Sequence, residues 1–133
     1  MEDEKKKKIL IIEDDVTMAD MYKRIFEREN FVVEVTFNGE LGLQSAKKGG
    51  NDIIILDIMM PKMDGLDVLK KIKSDENIKP TPVIILTNLS NEAILTEAYE
   101  LGASKYIIKS DISNEELVAK IKDYIASSEI PTT

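Results

Sequence analysis

A chain of 133 residues is the size of one ordinary domain, and its content of 43% hydrophobic and 32% charged residues is typical of a soluble globular protein. The absence of cysteine and histidine excludes disulfides, thiolate nucleophiles and imidazole chemistry, so a metal would need oxygen ligands, which suit Mg²⁺, Ca²⁺ or Mn²⁺. A net charge of -7 argues against a nucleic-acid-binding surface, and no apolar run reaches the roughly 20 residues of a membrane span, so a cytoplasmic protein is expected.

Five short aliphatic runs predict five β-strands. Each run is rich in Ile and Val and almost continuously apolar, as is typical of strands that are buried on both faces of a sheet. In chain order the runs are KILII before Glu13, FVVEV from Phe31, DIIIL before Asp57, PVIIL before Thr87 and KYIIK around Ile107. The spacing between them leaves room for one helix after each strand.

A helical pattern of apolar residues follows each strand. Residues three or four positions apart share one face of a helix, and such a face predicts the side that packs on the sheet. The second pattern is the weakest of the five. Ser113 with Glu116 predicts a capping box before the last helix, and Gly102 predicts a left-handed end of the fourth. The predicted inner faces are Met18, Tyr22, Ile25 and Phe26; Leu41, Gly42 and Ala46; Leu66, Leu69 and Ile72; Ile94, Ala98 and Leu101; and Leu117, Ile121, Tyr124 and Ile125.

Five strands that alternate with five helices indicate an α/β fold. In such a fold a parallel sheet is covered by helices on both faces through right-handed crossovers. The expected organisation is one doubly wound (βα)5 three-layer sandwich over residues 9–127. The charged residues 1–8 are expected to form a leader and residues 128–133 a tail.

Polar side chains follow four of the five strands at the point where each strand ends. Parallel α/β sheets bind ligands at the carboxyl ends of their strands, near the place where the winding reverses. The second strand offers no comparable residue, as expected for a strand at the edge of the sheet. The residues expected at the common rim are Glu13, Asp14, Asp15, Asp57, Thr87 and Lys109.

The acids at this rim predict a site for a hard cation. Converging carboxylates repel one another and raise at least one pKa unless a cation neutralises them, and Mg²⁺ needs few carboxylates because it keeps several waters. Lys109 adds a positive charge and Thr87 a hydroxyl, so the site suits phosphoryl transfer with Asp57 as nucleophile. Taken singly, these residues also have structural explanations, since Asp14 and Asp15 suit a helix start.

Four motifs in order resemble the receiver domain of two-component response regulators. They are the Glu13 and Asp14 pair, LDIMMPKMDG from Leu56, LTN from Leu86 and YIIK from Tyr106. The resemblance covers essentially the whole chain and is to the single-domain kind, such as the chemotaxis response regulator. It implies a flavodoxin-like fold with strands in the order 2-1-3-4-5.

The resemblance implies a role for each acid at the rim. Asp57 would be the phosphoacceptor, and Glu13 and Asp14 would be the acid pair of a Mg²⁺ site, with Asp14 preferred as the direct ligand. The backbone carbonyl of Met59 would be a further ligand. Asp64 and Gly65, in contrast, are expected to be structural, because they form a good turn and helix start.

The remaining roles concern the phosphorylated state and the partners. Thr87 and Lys109 would bind the phosphoryl group, and Tyr106 would be the aromatic switch whose ring turns inward. The donor would be a sensor histidine kinase or a histidine phosphotransfer protein, and slow hydrolysis would reset the domain. The face made by the fourth helix, fifth strand and fifth helix would signal to a separate downstream protein or a missing output domain. Neither direct nucleic acid binding nor membrane insertion is expected.

Two positions depart from the receiver pattern. Ser110 stands where the family usually has proline after the lysine, commonly with a cis peptide bond, and a non-proline cis bond costs about 3 kcal/mol. The chain therefore either maintains that strain or aims Lys109 through a trans bond. Asn88 follows Thr87 where a small residue is usual, and its amide would either crowd the phosphoryl group or hydrogen-bond to it.

Other functions compete with phosphoryl signalling. A Mg²⁺-dependent phosphatase with an aspartyl-phosphate intermediate needs a second acid two residues after its nucleophile, where this chain has Met59. A phosphorylation-independent interaction module would retain only the fold, and Ser110 and Asn88 keep that interpretation open. A flavin carrier needs a phosphate-binding loop after the first strand, where the acids of this chain would repel the phosphate.

Overall fold

The computed structural model describes residues 6–129, in which strands and helices alternate along the chain. A 3₁₀ turn, Lys109–Asp111, lies between the last strand and the last helix. The elements are β1 (Lys8–Ile12), α1 (Val16–Arg28), β2 (Val32–Thr36), α2 (Gly39–Lys47), β3 (Ile53–Leu56), α3 (Gly65–Ser74), β4 (Val83–Thr87), α4 (Glu92–Glu100), β5 (Lys105–Ile108) and α5 (Asn114–Glu129).

The five strands form one parallel sheet in the order β2-β1-β3-β4-β5. The predicted doubly wound, flavodoxin-like fold and its strand order are therefore confirmed. β2 lies at one edge of the sheet, and β1 and β3 lie side by side within it, so that Ile12 at the end of β1 pairs with Leu56 at the end of β3. The residues that follow these two strands consequently share one rim.

Alternate residues of the central strands pack on opposite faces of the sheet. In β3, Ile54 and Leu56 belong to the core that faces α2, α3 and α4, whereas Ile53 and Ile55 belong to the core that faces α1 and α5. This is the geometry of a strand, in which successive side chains point to opposite sides. Because both sides are covered by helices, the continuous run of isoleucine in β3 is buried throughout.

The helix ends agree with the sequence signals. The Ser113 N–H donates to Glu116 Oε1 at 2.8 Å and the Glu116 N–H donates to Ser113 Oγ at 3.1 Å, which completes the predicted capping box. The hydrogen bond from the Ser113 backbone, the largest cause, holds the pKa of Glu116 below its usual value. Gly102 has a φ of +112° after α4, as predicted for a left-handed helix end.

The predicted inner face of α2 is wrong at Leu41, whose side chain is 47% exposed. Gly42 approaches β1 so closely that a Cβ there would lie 2.6 Å from Ile12 Cδ1, and Gly42 and Ala46 therefore define the face that meets the sheet. At about 100° per residue, Leu43 lies nearer to that face than Leu41 does, and Leu43 is buried.

The ends of the domain differ slightly from the sequence-based boundaries. β1 begins at Lys8 and α5 continues to Glu129, so both elements extend past the range 9–127. Residues 1–5 of the predicted leader and 130–133 of the predicted tail lie outside the described residues, and that division of the chain stays a prediction. Within residues 6–129, no helix combines the length and apolar character that crossing a bilayer demands.

Candidate functional site

Asp57 is the first residue after the central strand β3, and its side chain points into the rim. Its backbone N–H donates to the Ile12 carbonyl at 3.0 Å, which continues the pairing of β1 with β3 by one step. The residue is only 6% exposed. Its carboxylate accepts two hydrogen bonds, one from the Met59 N–H to Oδ1 at 3.1 Å and one from Lys109 Nζ to Oδ2 at 3.0 Å. The acid is thus buried and held in one orientation.

The loop after Asp57 folds back tightly on the strand end. The Gly65 N–H donates to the Ile58 carbonyl at 2.9 Å, and a Cβ at position 65 would lie 2.3 Å from the Asp57 carbonyl oxygen. Asp64 caps α3 by accepting from the Asp67 N–H at 3.1 Å. The structural roles predicted for Asp64 and Gly65 agree with these contacts, and Gly65 is required because its backbone touches that of Asp57.

Two acids after β1 complete a cluster with Asp57. One carboxylate oxygen from each of Glu13, Asp14 and Asp57 lies within 4.8 Å of the other two. Glu13 is only 3% exposed, whereas Asp14 is half-buried. Asp15 lies outside the cluster and caps α1 by accepting from the Met18 N–H at 3.0 Å. The helix-start explanation therefore holds for Asp15, and the other two acids converge with Asp57.

Lys109 lies between two of the acids. Its Nζ is 2.6 Å from Glu13 Oε1 and 3.0 Å from Asp57 Oδ2, and its side chain is 10% exposed. Burial alone would lower the pKa of Lys109, but the hydrogen bonds and negative charges of the two carboxylates raise it above the usual value. Burial is also the main reason why the pKa of Glu13 is raised, although Lys109 opposes that shift. Lys109 is thus a charged counterion of this cluster.

Thr87 and Tyr106 meet at the backbone of Leu89. Thr87 is the last residue of β4 and fully buried, and its Oγ1 accepts from the Leu89 N–H at 3.3 Å. Tyr106, half-buried on β5, donates its hydroxyl hydrogen to the Leu89 carbonyl at 2.6 Å. Burial raises the pKa of the Tyr106 phenol, and the charge of Asp57 adds to the effect. The β4–α4 loop therefore joins Thr87 to the Tyr106 hydroxyl.

The two departures from the receiver pattern contact each other. No peptide bond among residues 6–129 is cis, so the bond between Lys109 and Ser110 is trans. The Ser110 N–H donates to Asn88 Oδ1 at 2.9 Å. The trans bond decides the alternative that the sequence left open for Ser110. The Asn88 amide oxygen binds the loop that follows Lys109, and how Asn88 would meet a phosphoryl group stays a prediction.

Two features of the site were not predicted from the sequence. Tyr22 was assigned only to the inner face of α1, yet its phenol is close enough for Lys109, Glu13 and Asp57 to act on its pKa, which burial raises. The contact of Leu89 with Tyr106 was also missed, because it joins residues 17 positions apart through a backbone carbonyl, for which no sequence signal exists.

The acidic cluster is chemically suited to a metal ion. Its donors are carboxylate oxygens, which hard divalent cations such as Mg²⁺ and Ca²⁺ prefer. Asp57 and Glu13 already share Lys109 as a counterion, while Asp14 adds a half-buried carboxylate on the same side. The predicted ligand role of the Met59 carbonyl stays a prediction; the Met59 side chain itself is 56% exposed.

Comparison with known proteins identifies the domain. A sequence model of the response regulator receiver domain matches residues 9–122. The chain belongs to the response regulator receiver domain family. The predicted resemblance is confirmed, and the chain is a signalling domain rather than a catalytic enzyme.

Relatives of this receiver domain include longer regulators. The chain is 36% identical over 116 residues to the response regulator ArlR of Staphylococcus saprophyticus, over 86% of this chain and 50% of that protein. Against the transcriptional regulatory protein ResD of Bacillus subtilis the identity is 33% over 115 residues, or 86% of this chain and 46% of that protein. This receiver domain thus spans about half the length of these curated relatives.

Solved receiver structures share the fold over nearly the whole chain. A CheY-like response regulator receiver domain protein from Methanospirillum hungatei is 27% identical with a TM-score of 0.87, over 94% of this chain and 98% of that one. The receiver domain of the Francisella response regulator 1452 is 29% identical with a TM-score of 0.82, over 92% of this chain and 99% of that one.

Proposed function

We propose that this receiver domain accepts a phosphoryl group on Asp57 from the phosphohistidine of a partner kinase or phosphotransfer protein, in a Mg²⁺-dependent reaction. The observation that carries the proposal is the surroundings of the Asp57 carboxylate. It is buried beside two further acids and bonded to the ammonium group of Lys109 at 3.0 Å. A reactive acid, a cation and a set of hard ligands are the parts that phosphoryl transfer requires.

The transfer is a displacement at phosphorus. An oxygen of the Asp57 carboxylate attacks, the new P–O bond forms as the P–N bond of the phosphohistidine breaks, and the leaving imidazole takes a proton from the solvent. The Met59 N–H, 3.1 Å from Oδ1, holds the carboxylate in place during attack. Lys109 offsets negative charge on the phosphoryl oxygens, since its Nζ already lies at the carboxylate.

Mg²⁺, when bound, would neutralise further charge on the phosphoryl oxygens, held directly by Asp14, Asp57 and the Met59 carbonyl and through water by Glu13. The acids within 4.8 Å of one another support this assignment, because their mutual repulsion favours a cation between them. Met59 stands at the position where a phosphatase would need its second acid, so the chain has no side chain there for general acid catalysis of hydrolysis.

Phosphorylation would be transmitted through the β4–α4 loop. The new charge on Asp57 draws Lys109 and the Thr87 hydroxyl toward the phosphoryl oxygens. Because Thr87 and Tyr106 both hydrogen-bond to Leu89, movement of Thr87 shifts the carbonyl that holds the Tyr106 ring. The ring then turns inward, and the face of α4, β5 and α5 changes its preference for partners.

A groove of about 720 Å³ lies on this face between β5 and α5. Its lining combines the apolar side chains of Ile108 and Ile121 with the amphipathic Tyr106 and Tyr124. Apolar and aromatic surfaces of this kind are enriched at the centres of protein interfaces. The signal would pass from here to a separate downstream protein or to an output domain, as the length and names of the transcriptional regulators among the relatives suggest.

The proposal is tested by intact-mass measurement after incubation with acetyl phosphate, a small phosphodonor. One phosphoryl adduct per chain is expected with excess Mg²⁺, and none with EDTA. A protein that gains no adduct with both metal and donor in excess would instead be an interaction module that works without phosphorylation. Binding to a partner irrespective of Mg²⁺ and phosphate would support that alternative.

Lys109→Met is expected to make the stability of the domain depend more strongly on Mg²⁺. Removing the ammonium leaves the buried Glu13 and Asp57 carboxylates without their counterion, which costs about 3 kcal/mol of unfolding free energy in metal-free buffer. Mg²⁺ at 100 times its dissociation constant adds about 2.7 kcal/mol to a protein that binds it only when folded. Urea unfolding with and without Mg²⁺ measures both the stability that the substitution removes and the stability that the metal adds.

Lys105→Met is the matched control, because Lys105 is exposed at the start of β5, the strand that leads to Lys109. It removes the same charge and is expected to change stability by less than about 0.5 kcal/mol. At one fixed Mg²⁺ concentration, the gain in unfolding free energy should be larger in Lys109→Met than in the wild type, since the metal has no competing cation and binds more tightly. Equal gains in Lys109→Met and in the wild type would mean that the metal does not bind beside Lys109.

A further inference from the structure

The contact between Asn88 and Ser110 lies where the sheet ends. Thr87 in β4 pairs with Ile108 in β5 as the last register pair of these strands, and beyond it the chain turns into the 3₁₀ turn that begins at Lys109. One residue later, Asn88 Oδ1 accepts from the Ser110 N–H at 2.9 Å. The asparagine side chain thus continues the connection of the two strands beyond the last backbone pair.

This hydrogen bond fixes the backbone on both sides of the site. Asn88 directly follows Thr87, and Ser110 directly follows Lys109, whose Nζ reaches Glu13 at 2.6 Å and Asp57 at 3.0 Å. Ser110 is exposed, so its side chain does not anchor the turn by burial. Since the peptide bond before Ser110 is trans and its N–H is free to donate, the bond to Asn88 holds the turn from which the Lys109 side chain starts.

A second hydrogen bond fastens the same loop to β5. The Tyr106 hydroxyl donates to the carbonyl of Leu89, the residue after Asn88. The β4–α4 loop is therefore attached to the β5 region at two consecutive residues, once through a side-chain acceptor and once through a backbone acceptor. The Asn88 bond is the one that reaches the segment carrying Lys109, and it is the one that a substitution at position 88 removes.

We infer that Asn88 is a positioning residue: by holding the Ser110 N–H it aims Lys109 at the Asp57 carboxylate. Asn88 touches neither acid and acts only through the backbone of the turn. Its effect on phosphorylation rests on the function proposed above, whereas its effect on the position of Lys109 does not. A proline at 110 would have no N–H to donate, so the amide acceptor at 88 and the donor at 110 work as a pair.

Four variants separate this role from a general loss of structure. Asn88→Ala removes the acceptor, and Asn88→Asp restores an acceptor oxygen of the same reach. Ser110→Pro removes the donor, whereas Ser110→Ala keeps the backbone N–H and is the matched control. Thermal unfolding of each variant shows whether the fold is intact. An exposed hydrogen bond contributes modestly, so effects of about two- to tenfold are expected from its loss.

Nuclear magnetic resonance gives the direct readouts. Amide hydrogen exchange at Ser110 should accelerate about two- to tenfold in Asn88→Ala and stay at the wild-type rate in Asn88→Asp and Ser110→Ala. The Nζ signal of the Lys109 ammonium group should move in Asn88→Ala and stay at its wild-type position in Asn88→Asp and Ser110→Ala. In Ser110→Pro, which lacks the N–H, the further substitution Asn88→Ala should not move this signal again, because the bond is already absent.

Phosphorylation is measured on the same set of proteins with acetyl phosphate and Mg²⁺. The labelling rate should fall about two- to tenfold in Asn88→Ala and recover in Asn88→Asp. If the wild type gains no adduct, the proposed function fails, and the amide-exchange and Lys109 signals still decide whether Asn88 positions the lysine. An unchanged Lys109 signal in Asn88→Ala, or the same acceleration of exchange in Ser110→Ala, would overturn the inference.

Discussion

Asp57→Asn is expected to abolish the phosphoryl adduct while leaving the domain folded. Asparagine has nearly the same shape as aspartate, and its single amide oxygen can keep the hydrogen bond from the Met59 N–H, whereas its NH2 group replaces the oxygen that accepts from Lys109. It is not a nucleophile toward phosphorus, so the displacement has no attacking group. Intact mass after incubation with acetyl phosphate and Mg²⁺ should show only unmodified protein, and the unfolding midpoint should show that the variant is folded.

Asp15→Asn is the matched control for this substitution. It removes the same charge close to the site, and asparagine is as good an N-cap as aspartate, so α1 keeps its first hydrogen bond to the Met18 N–H. The control is expected to be labelled like the wild type. A phosphoryl adduct that persisted in Asp57→Asn, on Asp14 or on any other acid, would show that the acceptor had been assigned to the wrong residue.

Gly65→Ala is expected to destabilise the domain by about 3 kcal/mol, at the upper end of the range for overpacking. The added Cβ would lie 2.3 Å from the Asp57 carbonyl oxygen and 2.5 Å from Ile58 Cα, and both of these are backbone atoms that cannot swing aside. Either α3 or the strand end must move. Urea unfolding at 25 °C should show a lower midpoint with an unchanged slope.

Gly50→Ala distinguishes the steric cause from a conformational one. Gly50 has a φ of +83° and no neighbour within 4 Å of the added Cβ, so alanine there costs only the strain of a left-handed backbone, about 1 kcal/mol. Gly65 has no such φ, and its requirement is contact alone. Equal losses in the two variants would mean that the loop after Asp57 has room to relax, and that Gly65 does not hold Asp57 in place.

The strands and helices could be predicted because their signals are local. A run such as Ile53 to Leu56 is apolar at every position only when helices cover both faces of the strand, and the structure has helices on both faces. The prediction was wrong at Leu41 because the rotation of α2 depends on how closely Gly42 approaches Ile12. That distance is a property of the packed sheet and helix, and the apolar pattern of α2 is too weak to reveal it.

The candidate site was partly predictable for a different reason. Parallel strands end at the same edge of a sheet, so residues that follow the central strands must be neighbours, and Glu13, Asp14 and Asp57 do converge. Which of the acids pair with Lys109, 52 and 96 positions away in the chain, required the structure. The separation of Asp15 from the cluster also became clear only when its side chain was seen at the start of α1.

The sequence by itself determined the order of the elements, the parallel sheet and the set of residues at its rim, because alternation and helical period follow from the geometry of the backbone. The tertiary structure alone decided that Asn88 binds Ser110 through a trans backbone and that Lys109 links Glu13 to Asp57. These contacts join loops far apart in sequence. Their hydrogen bonds are directional and are lost when donor and acceptor are displaced by about 1 Å. They therefore form only once the whole sheet has placed the loops.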